Sequence, residues 1–100
     1  MDINRRHIFY RITRPVQETI TIGFSLTEDE PVNKLKYTWA ESTNCNPNDI
    51  KLYYGATLIE NYKLPSEYGI FPRPQNWDIL LVHKTLDKKF KPENIKQLNK

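Results

Sequence analysis

Ile50–Ile70, IKLYYGATLIENYKLPSEYGI, is the stretch whose reading decides the fold. Ile50, Leu52 and Tyr54 alternate with Lys51 and Tyr53, the period of a half-buried strand. Gly55-Ala56 allows a tight reversal, and Leu58-Ile59 begins a short return arm. After a polar break, Leu64-Pro-Ser-Glu-Tyr68-Gly69-Ile70 reads as a small turn that throws an aromatic and an aliphatic side chain back toward a core. Gly69 stands where the backbone needs a positive φ, a conformation that is costly for a residue with a Cβ.

Working outward, two more alternating runs lie upstream. In His7–Thr13, Ile8, Tyr10 and Ile12 face one way, and Phe9, Arg11 and Thr13 the other. In Glu18–Leu26, Ile20, Ile22, Phe24 and Leu26 share one face. Arg14-Pro15-Val16-Gln17 between them reads as a turn, so the pair predicts an antiparallel hairpin with one buried face. Glu28-Asp29-Glu30-Pro31 carries acidic groups suited to a positive helix end and a proline suited to the first helical position. A helix is therefore expected from Pro31, with Val32, Leu35, Trp39 and Ala40 as its apolar stripe and Asn33, Lys34, Lys36 and Glu41 outward. Trp39 is the expected plug between helix and sheet. Downstream, Trp77–Lys84 (WDILLVHK) is apolar on both faces, with Ile79 and Leu81 toward the core, which predicts a central strand.

Composition narrows the classes. One hundred residues with 38% hydrophobic and 12% aromatic content predict one domain with one modest core. No apolar run approaches the ~20 residues that span a bilayer. The opening residues lack an apolar signal core, so the expected setting is intracellular, cytoplasmic or nuclear, with Arg5 and Arg6 keeping a mitochondrial address open. The single cysteine, Cys45, forms no internal disulfide and reads as a small apolar filler. The net charge of +3 divides into about +7 at the two ends and about −4 in the body. A dedicated nucleic-acid binder gathers its charge on one folded face, so basic ends of this kind read first as solvated arms.

Strand, strand, helix, strand, short arm, turn, strand implies an α+β layer pair, one helix across one face of a mixed sheet. In that order, the opening hairpin, EDEPVNKL, KLYYGATL, the Leu…Tyr-Gly-Ile turn and ILLV resemble the β-grasp architecture of ubiquitin-like proteins over residues 8–84. A polar basic leader (1–7) and a basic C-terminal tail (85–100) flank that domain. The chain departs from the family pattern in two longer loops, 64–68 and Phe71–Asn76, and in having no glycine after Gly69. Lacking a Gly-Gly end, it is expected to be a non-conjugating member.

The resemblance implies a binding face on the outward side of the middle and last strands. Its positions here are Lys51, Tyr53, Leu80 and Val82, with His83 at the rim. An exposed apolar cluster marks interaction surfaces, and Tyr serves well as an anchor. Phe90, Ile95 and Leu98, spaced along the tail, are further candidates for partner contact. In the competing reading, Phe90 or Ile95 covers the patch from within the chain.

Catalytic signatures are sparse. No His-x-x-x-His spacing, His/Cys/Asp grouping or glycine-rich phosphate loop occurs, and His7 and His83 read as edge or surface residues. The expectation is a non-enzymatic module with no cofactor, acting through other proteins. It is either an accessory subunit of a multi-protein assembly, a free-standing adaptor docking a receptor through the sheet face, or an RNA-associated protein using its basic ends.

Overall fold

Alternation does what it predicts in the first hairpin. The computed structural model describes residues 6–15, 17–60 and 62–87. Strand β1 (His7–Arg14) buries Ile8, Tyr10 and Ile12 and leaves Phe9 and Arg11 exposed. It pairs antiparallel with β2 (Gln17–Thr27), placing Leu26, Phe24 and Ile22 opposite Ile8, Tyr10 and Ile12 on the same face. The register slips between Thr13 and Arg14, next to the Pro15 turn.

Helix α1 spans Lys34–Thr43, three residues later than the sequence predicts. The acidic stretch does not serve the helix end. Glu30 turns back instead: its carboxylate accepts from the Thr27 N–H (2.8 Å) and hydroxyl (2.9 Å) and pairs with Lys34. The Val32 N–H donates to the Lys63 carbonyl at 3.2 Å, and the Lys34, Leu35 and Lys36 N–H groups donate to the Pro31, Val32 and Asn33 carbonyls at 3.0–3.1 Å, so a tighter turn of i→i−3 bonds precedes the α-helix. Asn33, expected outward, is 5% exposed. Leu35, Trp39 and Ala40 form the buried stripe. Asn44 ends the helix in the left-handed region, φ 58°.

A 3-10 turn at Pro47–Asp49 leads into β3 (Ile50–Tyr54), which folds back antiparallel to β4 (Thr57–Ile59) around Gly55 at φ 60°. A second 3-10 turn, Pro65–Tyr68, closes on Gly69 at φ 78° and delivers Ile70 to the core at 2% exposure. The Tyr68 hydroxyl accepts from the Glu60 N–H at 3.2 Å, which ties the turn to the end of β4. Strand β5 (Trp77–His83) runs parallel to β1 and antiparallel to β3.

The sheet order is β2-β1-β5-β3-β4, so the last strand lies in the middle, as its two apolar faces predict. Between sheet and helix, Ile8, Tyr10, Ile12, Leu52, Ile70, Ile79 and Leu81 pack with Val32, Leu35 and Trp39. The α+β architecture expected from the sequence is the one observed.

Candidate functional site

The outward face of β3, β4 and β5 carries the residues the sequence singles out. Parity places them: Leu80 and Val82 alternate with Ile79 and Leu81, and Tyr53 alternates with Leu52. Register sets Tyr53 opposite both Leu80 and Leu58, and Lys51 opposite Val82. Tyr53, Leu80 and Val82 form one cluster, with Leu58 packed against it. Farther along the same face, Arg11 on β1 donates to Asp78 on β5 at 2.7 Å, so the apolar part ends at an ion pair.

One expectation about this face is corrected. Tyr53, Leu80 and Val82 are 6–7% exposed, so the patch is closed, and only Lys51 of the four stands in solvent. Burial also pushes the Tyr53 phenol above its ordinary pKa. Phe90, Ile95 and Leu98 lie outside the described residues.

His83 is a second correction. It is 2% exposed and lies on the helix side, because it shares the parity of Ile79 and Leu81. Its Nε2 accepts from the Trp39 indole N–H at 3.1 Å, and its Nδ1 faces Asp49 Oδ2 at 3.6 Å. An acceptor at Nε2 places the proton of a neutral ring on Nδ1. Asp49 is itself held by Thr85, whose hydroxyl donates at 2.8 Å and whose N–H donates at 3.2 Å. The Thr85 hydroxyl, foremost, holds Asp49 below its ordinary pKa. This histidine–carboxylate pair faces an indole and not a nucleophile, so its geometry positions side chains around the end of β5.

Beside it lies an arrangement that the sequence reading missed. Asp87 is 3% exposed, accepts from the His83 backbone N–H at 2.7 Å, and receives Arg14 Nη2 at 2.8 and 3.0 Å. Asp87 is fully buried in the pair and Arg14 nearly so, and Arg14 Nε has no partner among the described residues. The arginine ends β1 and the aspartate follows β5, two parallel neighbours, so this pair closes one end of the sheet. The sequence signal was faint: an aspartate four residues beyond a strand end can cap it, but its cation lies 73 residues away.

Among the described residues no group of three His, Cys, Asp or Glu side chains is arranged to hold a metal, and no helix is long and apolar enough to cross a membrane. Neither protein-family models nor curated proteins match the sequence. Solved structures do. Ubiquitin from Caldiarchaeum subterraneum superposes with a TM-score of 0.67 at 12% identity, covering 77% of this chain and 92% of that one.

The chain has a ubiquitin-like β-grasp fold.

The N-terminal ubiquitin-like domain of the 4931431F19Rik protein agrees, with a TM-score of 0.63 at 19% identity over 78% of this chain and 75% of that one. At such identities the likeness is one of fold. In the ubiquitin-like frame, Tyr53, Leu80 and Val82 occupy the sheet face away from the helix.

Proposed function

We propose that this chain is a non-catalytic protein-interaction module, built into a larger multi-protein assembly as a structural or accessory subunit. The ubiquitin-like fold supports contact work, since its layers leave long strand edges and loops for partners. One observation carries the choice between assembly and adaptor: the middle of the outer face is closed. A free-standing adaptor docking through Tyr53, Leu80 and Val82 needs them open, and they are 6–7% exposed. Large apolar groups are offered elsewhere, on separate connections: Tyr62 is 71% exposed, Phe71 55% and Leu86 70%.

The RNA reading asks for free basic ends. Arg6, Arg11 and Arg14 are already held by Glu28, Asp78 and Asp87, which counts against the N-terminal arm in that role.

The test is size-exclusion of native extract with identification of co-eluting chains. Elution with other proteins, well above 11.9 kDa, is expected. A species at the mass of the monomer overturns the assembly reading.

A further inference from the structure

We infer that the groove where β4 leaves β3 takes an extended acidic peptide segment of a partner protein. The inference deepens the interaction-module reading and rests on it. The groove holds about 470 Å³ between the start of α1, the first residues of β3 and the chain just past β5. It forms because β4 pairs only with Leu52–Tyr54, leaving Ile50 and Lys51 beyond its end.

Three features select the occupant. The first is charge. Lys36, Lys51 and Lys84 reach the groove from three different elements, against one carboxylate, Glu60. Arg6, Arg11, Arg14 and Lys34 are each matched by a carboxylate of this chain. Among the described residues, none of the three groove lysines is matched, and the Lys36 ammonium rests 5.6 Å from the Tyr37 ring centroid. The second is Asn33, 5% exposed, which lines the groove. Its side chain does not cap α1, and its Oδ1 meets no donor among the described residues. A buried acceptor without a donor is costly, and a peptide N–H supplies one once the Asn33 side chain turns into the groove. The third is Leu58, half-buried, which lines the groove beside the lysines and offers aliphatic surface there. Carboxylates, a backbone N–H and an apolar side chain occur together in an acidic peptide. Inorganic phosphate and RNA match the lysines alone.

The experiment is an NMR titration of the full chain with a synthetic heptapeptide of alternating Glu and Ile at millimolar concentration, with a Gln–Ile peptide as control. Amide shifts are expected around Asn33, Lys36, Lys51 and Lys84, weakening as salt rises. The double variant Lys51→Glu/Lys84→Glu, at exposed positions that leave folding intact, lowers affinity at least about tenfold. Asn33→Leu, which removes the acceptor at similar volume, lowers it further. No shifts at the groove, equal binding of the Gln–Ile peptide, or an affinity indifferent to charge reversal overturns the inference. So does tighter binding of inorganic phosphate or oligouridylate at the same residues. The two readings fail separately. A chain that co-elutes with partners but ignores the acidic peptide sinks the groove alone, and a monomer in extract sinks the assembly alone.

Discussion

The two faces of β5 make the instructive comparison. Toward the helix, Ile79 and Leu81 are fully buried and His83 completes the row with a hydrogen bond to Trp39. Away from it, Leu80 and Val82 join Tyr53 in a smaller cluster that ends at the Arg11–Asp78 ion pair. One strand thus lies between two apolar clusters, the inner one packed against helix α1. Burial alone does not distinguish them, because Leu80 at 7% counts as buried as surely as Leu81 at 0%. What differs, among the described residues, is the partner: helix α1 packs on the inner row, and Tyr53 and Leu58 pack with the outer one.

The clamp at the end of both faces sets the largest expected effect. Asp87→Ala leaves Arg14 buried without its carboxylate and should cost about 3–5 kcal/mol in urea unfolding. Replacing both, Arg14→Met with Asp87→Leu, should recover much of that loss; a double variant as unstable as the single one would show that the pair contributes more than mutual neutralisation.

Next comes the comparison itself. Leu81→Ala should cost about 3–4 kcal/mol by opening a cavity between helix and sheet. Leu80→Ala should cost about 2 kcal/mol or less, since Leu80 keeps 7% exposure where Leu81 has none and its described neighbours, Tyr53, Val82 and Leu58, can close around the gap. Equal losses in thermal and urea unfolding would mean that the outer face is as firmly packed as the core.

His83→Phe keeps the volume but strands the Trp39 indole N–H. A loss of about 1–3 kcal/mol is expected, with an altered Trp39 emission read in a Trp77→Phe background. An unchanged spectrum would remove the histidine from the helix-side row.

The smallest effect lies at the helix entrance. The Lys34 ammonium, then the Thr27 N–H, lowers the Glu30 pKa from 4.5 to about 2. On acidification the unfolded chain therefore takes up this proton first, so the stability that Glu30 contributes is present above about pH 4.5 and lost as pH falls through about 2. Acid titration of unfolding should show that slope in the native chain and not in Glu30→Gln, which costs under about 1 kcal/mol at neutral pH.

Much of this was legible from residue types. Gly55 and Gly69 take the positive φ that their turns demand, and the Ile8–Tyr10–Ile12 alternation sets the buried face of β1. Two failures are as informative. Polarity puts His83 at the rim, although its parity with Ile79 and Leu81 points inward; the partner that makes an inward histidine tolerable, Trp39, lies 44 residues away. Glu28-Asp29-Glu30 reads as the charge of a helix end because acidic groups suit the positive end of the helix dipole. Glu30 instead accepts from Thr27, and the Lys63 carbonyl claims the Val32 N–H.

Taken alone, then, the order of amino acids determined the strands, the helix, the central place of the last strand and the two glycine turns, because each follows from a local period or a local steric limit. Only the folded chain decided that the outer face is closed, that Asp87 meets Arg14, that Asn33 is buried without a donor, and that three lysines surround one groove. Those are relations between residues far apart in sequence, and neither periodicity nor propensity carries information about which distant groups a fold will bring together.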